Sequence, residues 1–408
     1  MGRRRLDCGP SVVAMQSARA WANHEIIEAV RDLAPAVTDW GEEIDRERRL
    51  PDPLVEQLRA ARVFEMYVPR SVGGPEVHPL TAFTVAEELA RRDGSVGWCA
   101  QVAAAVTVFL AWIDPAGLAE MIHHSGTLHL AGSARPLGHA EPVEGGYLAT
   151  GHWNYASGVR HANWYLGTCF VKRSDGRSTP RSMLFPVAEG TIEANWNVMG
   201  MRGTGSDDFV LDNVFVPDRR VAGRRWIEHR PEPLYDPRLM MVAAWAPTAG
   251  VAIGLAEGAL DSLIALGERS SAGSPVALRE REAVQEAVGR AAAMAGAARA
   301  FVVETIEGAW NALPVGGASL ERAVSAAQLA VTHALNEAVR VADIAFHAAG
   351  TNAISTANRL ERFLRDAHTA VQHSAGQPVH VRAAGRVLLG LDAGPVDPAR
   401  EGPTTPRP

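Results

Sequence analysis

The chain has 408 residues, 47% hydrophobic and 21% charged, with 46 acidic against 40 basic side chains and a formal net charge of -6. That composition suits a soluble globular protein with apolar mass for two or three domains. It argues against a disordered chain and against a generally basic nucleic-acid binder. The three cysteines, Cys8, Cys99 and Cys169, are too scattered for a disulfide framework or a zinc pattern and fit a reducing cytoplasm.

In chain order, the opening MGRRRLDCGP sets three arginines before Asp7, Gly9 and Pro10, which interrupt any signal-like apolar run, so residues 1–14 read as a disordered arm. Residues 15–126 carry helical spacing. In DPLVEQLRAARVFEM, Leu54, Leu58 and Ala61 recur on one face; VPRSVGGPE breaks the pattern, and Asp93-Gly94 parts two further helices. Residues 127–236 switch to short β-prone runs, among them TLHLAGSA, WYLGTCFV and DFVLDNVFVP, punctuated by Gly, Asp and Pro, which predicts a central antiparallel barrel or sandwich. Residues 237–392 return to Ala-rich helix, broken at NALPVGGAS, and predict a C-terminal four-helix bundle. The apolar run LMMVAAWAPTAGVAIGLA approaches the length of a membrane span, but its proline and small residues favour a helix buried on all sides, and no membrane partner is expected. Residues 393–408, rich in Pro and polar residues, read as a disordered tail. The layout is α+β: helix, sheet and helix segregated along the chain.

Three stretches invite functional readings. GMRGTGSDD, residues 200–208, has the glycines of a nucleotide loop but lies between two predicted strands, where glycines serve a strand connection. GHWNYASGVRHANW, residues 151–164, is either cross-strand aromatic packing or a platform for a flat aromatic ligand, with Ser157 and nearby amides offering hydrogen bonds. RLERFLRDAHTAVQHSAG, residues 359–376, carries His368 and His373. Five residues apart, they sit about 140° apart around a helix, unsuited to a shared metal, and no metal site is expected. The stripe Leu360, Phe363, Leu364, Ala367 and Val371 puts His368 at the edge of a buried surface, and His373 on the opposite side with Arg362, Asp366 and Thr369. A half-buried imidazole titrates usefully near neutral pH. No G-x-S-x-G elbow, P-loop, H-E-x-x-H or CxxC occurs.

The order of VPRSVGGPE, FVLDNVFVP and RLERFLRDAHT resembles the acyl-CoA dehydrogenase superfamily over nearly the whole chain. The resemblance implies a helical N-terminal domain, a β-barrel and a helical bundle. A dehydrogenase in this superfamily needs a carboxylate base beside the flavin, yet neither VQHSAG nor AAWAPTAGVAIG supplies one. The wording of residues 132–164, 200–208 and 365–373 is instead similar to the two-component flavin-dependent monooxygenase branch, which includes hydroxylases of phenols and polycyclic aromatics, and relatives that oxygenate nitrogen or sulfur.

That resemblance implies reduced FAD or FMN delivered by a separate flavin reductase, dioxygen as co-substrate, a C4a-hydroperoxyflavin as oxygen donor, and a homotetramer. Carried onto this chain, it places Ser157, through its hydroxyl or its amide, at flavin N5–H. Trp153 and Tyr155 would wall the isoalloxazine, and Ser133 would line the pocket. Arg269 matches an arginine that reaches a neighbouring subunit's flavin phosphate, although the usual following Phe is absent. Gly350 and Thr351 match a turn near the phosphate or adenine end, and Arg202 and Thr204 are further flavin contacts. His368 is implied as the catalytic residue facing substrate, with His161 as a pocket member. The alternative is an acyl-CoA dehydrogenase-like or oxidase-like flavoenzyme.

Overall fold

The computed structural model describes residues 24–172, 176–223, 232–270 and 275–394. The arm read over 1–14 and all but the first two residues of the tail read over 393–408 lie outside them.

Six helices precede the sheet among the described residues: α1 Glu25–Asp39, α2 Gly41–Glu47, α3 Asp52–Ala60, α4 Pro79–Ala90, α5 Gly94–Thr107 and α6 Pro115–Ser125. Local chemistry sets their starts. The Asp93 carboxylate accepts the Ser95 and Val96 amides at the head of α5, and Asp114 accepts Ala116 at the head of α6. Ile27, Leu54, Leu58, Phe64 and Tyr67 form the core of this part.

Six strands follow: β1 Leu130–Val143, β2 Gly146–Trp153, β3 Trp164–Lys172, β4 Ser178–Pro186, β5 Thr191–Glu193 and β6 Asp208–Pro217. They form one sheet in the order β4-β3-β1-β2-β6-β5. The expected antiparallel barrel is corrected in two respects. The sheet is mixed, because β3 runs parallel to β1, and it ends in two edge strands, β4 and β5, instead of closing. The cause is the crossover over residues 154–163, which leaves β2 and passes the start of β1, where the His129 carbonyl accepts the Asn163 and Trp164 amides. An alternation of strand and turn signals cannot reveal that crossover, since a hairpin and a short crossover carry the same punctuation.

Among the described residues the C-terminal part holds three long helices, α7 Met240–Ala265, α8 Glu282–Ala312 and α9 Gly317–Ala349, then the short α10 Leu360–Ala370 and α11 Pro378–Leu388. The break expected at NALPVGGAS separates α8 from α9. As expected, the apolar run from 239 is a helix enclosed by the protein. A glycine every fourth residue of α7 lets neighbours approach. A Cβ at Gly250 or Gly254 would strike the Phe83 or Glu87 carbonyl of α4, and one at Gly258 would strike the Phe363 ring of α10. Pro247 lies inside α7 and lacks the N–H that the Ala243 carbonyl would accept. The buried Tyr67 hydroxyl donates to that carbonyl instead, at 2.9 Å. Glu87 of α4 and Arg299 of α8 form a buried two-pronged ion pair at 2.6 and 2.9 Å, tying the first helical part to the last.

Candidate active site

The crossover that makes the sheet mixed also builds the site. Tyr155 adopts φ 60°, the left-handed region that non-glycine residues rarely occupy. That kink leaves Tyr155 61% exposed and turns Ala156 and Ser157 inward. The turn's amides are all committed: Ala156 N–H donates to the Asp207 carbonyl, Ser157 N–H to Tyr155 and Gly158 N–H to Thr204. Asp207, itself buried, also accepts the Asn195 and Trp196 amides through its side chain and pairs with Arg160. GMRGTGSDD is thus the connection between β5 and β6, with Met201 and Gly205 at φ 53° and 51°, and it folds back onto the Ser157 turn.

Behind Ser157 lies a chain of hydroxyls. Trp98 Nε1 of α5 donates to Ser157 Oγ at 3.3 Å, Ser157 Oγ meets Ser206 Oγ at 2.6 Å, Ser206 meets Thr204 Oγ1 at 2.6 Å, and Thr204 donates to the Met201 carbonyl at 2.8 Å. The Met201 amide in turn donates to the Asp366 carboxylate of α10. Burial, reinforced by Asp93, pushes the Asp366 carboxyl up to about 7.

On the other side of Trp98 stands His373, whose ring meets the indole edge to face at 5.5 Å. Its Nδ1 accepts the Ala375 amide at 3.2 Å, capping a short turn. Burial, with a smaller contribution from His380, lowers its pKa to about 4. The imidazole is therefore neutral at pH 7, and because Nδ1 is an acceptor its proton sits on Nε2.

The helical reading of residues 359–376 fails for His373 and for Asp366, and holds for the burial of His368. Helix α10 ends at Ala370, so His373 lies beyond the helix and its angle on a wheel has no meaning. His368 is half-buried at the edge of α10, with Nε2 on Asp343 of α9 at 2.9 Å. Asp366, assigned by the wheel to the outer side, is buried on the Met201 turn. Both flanks of α10 are covered, which a single apolar stripe does not disclose.

The remaining expected residues fall at several different places. Trp153, expected along the isoalloxazine, is fully buried inside the sheet: its ring fills the space over Gly138, Gly151 and Gly167, and its Nε1 donates to the Thr168 carbonyl. It is a core residue, since β2 turns its last side chain to the covered face. Ser133 is half-buried on β1 and accepts the Arg135 amide. Arg202 is held by the Asp45 and Val198 carbonyls, and its neighbour Thr204 belongs to the hydroxyl chain. His161 lies beneath the Gly158 turn beside His129 and Phe64. Both its ring nitrogens are buried, and burial with Arg59 nearby lowers its pKa to about 3. Arg269, Gly350 and Thr351 are exposed at another place, the end of the long helices, where Asn352 Nδ2 donates to the Ser270 carbonyl and joins the two turns. Among the described residues, His152, Glu193 and Asp208 come close enough to share a cation, but they lie at the solvent-facing sheet edge and His152 is already paired with Asp208.

Sequence reasoning missed Trp98 and Ser206. A lone tryptophan five residues beyond the Asp93 cap of a small-residue helix was the available signal for the first. The second stood in a motif read for its glycines.

Comparison with known proteins gives a consistent picture. Family models for the acyl-CoA dehydrogenase N-terminal domain and C-terminal domain match residues 22–121 and 246–378. An indole-3-acetate monooxygenase from Pseudomonas putida is 31% identical over 387 residues, covering 94% of this chain and 97% of that one. The XiaF structure from Streptomyces sp., in complex with FADH2 and glycerol, superposes with TM-score 0.82 at 26% identity, over 92% of this chain and 97% of that chain. A 3-HSA hydroxylase from Rhodococcus sp. RHA1 shares the fold with TM-score 0.83 at 24% identity, over 92% and 99%.

Proposed function

We propose that this chain, which belongs to the acyl-CoA dehydrogenase superfamily and within it to the flavin-dependent monooxygenases, is the oxygenase component of a two-component system that hydroxylates an aromatic substrate. The observation that carries the reading is the cluster of Ser157, Trp98 and His373: a hydroxyl and a neutral imidazole held on either side of one indole. The stretches in which a dehydrogenase keeps its base, AAWAPTAGVAIG and VQHSAG, hold no carboxylate, and His373 stands in the second of them.

The residues present fit a reduced flavin, FAD or FMN, delivered by a separate reductase. Bound there, that group supplies the two electrons that activate dioxygen. Ser157 Oγ, nearly buried, offers an acceptor to N5–H, and the exposed Tyr155, in edge contact with Trp196, flanks the same turn. His373 takes the catalytic place first given to His368. Its Nε2–H is a fixed donor for the oxygen that is transferred, and its Nδ1, already an acceptor, is not free to serve as a base. Arg269, Gly350 and Thr351 suit the phosphate or adenine end of a flavin held by a second subunit. Exposed Leu388 and Leu389 on and after α11 and Ile264 on α7 give a homotetramer apolar surface to bury. The aromatic substrate class follows from the relative named for indole-3-acetate.

The test is incubation under labelled dioxygen with a flavin reductase, NADH and FAD or FMN, across a panel of indoles, phenols and polycyclic aromatics. One labelled oxygen atom should enter a product. Peroxide alone across the panel, together with bleaching of bound oxidised flavin by an acyl-CoA thioester, would overturn the reading in favour of a dehydrogenase.

A further inference from the structure

The hydroxyl chain behind Ser157 can be solved for the direction of every proton, because both of its ends are fixed. The Trp98 indole N–H only donates, and a backbone carbonyl only accepts. Thr204 therefore commits its single hydroxyl hydrogen to Met201, across 2.8 Å. Between Thr204 and Ser206, at 2.6 Å, the hydrogen must then come from Ser206. Between Ser206 and Ser157, also at 2.6 Å, it must come from Ser157. Ser157 Oγ has given its hydrogen inward and accepts from Trp98 on one lone pair. It faces a ligand with its second lone pair alone.

We propose that Ser206 and Thr204 are positioning residues that hold Ser157 as an acceptor, so that the site selects the reduced flavin, whose N5 bears hydrogen, over the oxidised flavin, whose N5 bears only a lone pair. This rests on the reading above that Ser157 meets flavin N5. The backbone offers the oxidised ring no substitute at this turn, since the amides of Ala156, Ser157 and Gly158 all donate within the protein. Of the two groups of Ser157 first considered, the backbone N–H only donates and cannot receive N5–H, whereas the hydroxyl oxygen can.

Reversing the chain to greet an oxidised flavin is penalised wherever the reversal stops. If Ser157 alone turns outward, Ser157 and Ser206 oxygens stay 2.6 Å apart with no hydrogen between them. If all three hydroxyls turn, Thr204 gives up its bond to the Met201 carbonyl and the two oxygens stay 2.8 Å apart, with that carbonyl left to Trp196 Nε1 at 3.1 Å and the Thr204 amide at 3.2 Å. Ser157, Thr204 and Ser206 are 7%, 1% and 3% exposed, so solvent does not relieve either contact. An unmade hydrogen bond in such a place is worth roughly tenfold or more in affinity. The consequence is a site that loads reduced flavin from a reductase and releases it once oxidised.

The experiment is a pair of anaerobic equilibrium titrations of the full chain, with dithionite-reduced and with oxidised FAD and FMN, giving the ratio of the two dissociation constants. In the unmodified protein the reduced form should bind at least about tenfold tighter. Ser206→Ala frees the Ser157 hydrogen, and Thr204→Val frees it one step further back. Each should cut the ratio by about tenfold, equivalent to about 30 mV in the two-electron midpoint potential of the bound flavin. Thr204→Ser keeps every donor and acceptor and should keep the ratio, which a merely structural role for the residue does not require. An equal affinity for both redox forms in the unmodified protein overturns the proposal. So does an unchanged ratio in both Ser206→Ala and Thr204→Val when their thermal melts show folded protein. If neither redox form binds the unmodified protein, the flavin reading itself fails and takes this device with it; selective binding that survives both variants refutes only the device.

Discussion

Replacing His373 and His368 in parallel separates two histidines that the sequence ranks in the opposite order. His373→Ala removes a neutral Nε2–H donor held by the Ala375 amide on one side and by Trp98 on the other. Loss of one preorganised donor at a reacting oxygen costs about 10²–10³ in rate, or about 2.7–4 kcal/mol. The lost edge contact with Trp98 adds about 0.5–1.5 kcal/mol of destabilisation, so the variant should still fold. His368→Ala breaks a pair with Asp343 in which the side chains are 40% and 41% exposed. Such a pair is worth about 0–1 kcal/mol, and it lies outside the site, so turnover should hold. The assay mixes protein and reduced flavin with oxygenated buffer, with and without an accepted aromatic substrate, and measures product against peroxide. In His373→Ala, peroxide should replace product; in His368→Ala the partition should match the unmodified protein. Full hydroxylation in His373→Ala with collapse in His368→Ala would refute the assignment and restore the helical-wheel reading.

Tyr67→Phe should cost about 1–3 kcal/mol in urea unfolding, because it leaves the buried Ala243 carbonyl opposite Pro247 without a donor; a neutral result would mean another group reaches that carbonyl. Asp366→Ala should cost a similar amount by orphaning the Met201 amide, whereas Asp366→Asn keeps an acceptor there and should retain most of the stability at pH 8, where the raised carboxyl would otherwise have to ionise in a buried place. Equal losses in the two variants would sink that account. His161, with a folded pKa of about 3, binds fewer protons folded than unfolded, so its contribution is intact above about pH 6.5 and is lost progressively as pH falls toward 3. Between pH 7 and pH 5 the stability of His161→Phe relative to the unmodified protein should therefore rise by about 2 kcal/mol, measured by paired denaturant titrations at the two values; a pH-independent difference would show that His161 titrates normally.

The sequence by itself determined a good deal. The order of helix, sheet and helix follows from apolar periodicity, which is a local property, and the enclosed character of α7 follows from its glycines and proline. The turn motif around Ser157 and the missing carboxylates in VQHSAG and AAWAPTAGVAIG were legible for the same reason: they are statements about which residues stand next to each other. What depended on distant partners was not. Trp153 and Tyr155 lie two residues apart in one aromatic motif, yet one fills the sheet and the other points outward, because Trp153 ends a strand and Tyr155 sits at a positive φ. The reach of Trp98 to both Ser157 and His373 joins segments far apart in the chain. The choice between His368 and His373 turned on where α10 stops, at Ala370, which the apolar stripe running on to Val371 does not mark. Residue types and local turns fixed the chemistry available to this chain; only tertiary contact decided which of those groups share a site, since a hydrogen bond requires atoms about 3 Å apart and the sequence carries no such distance.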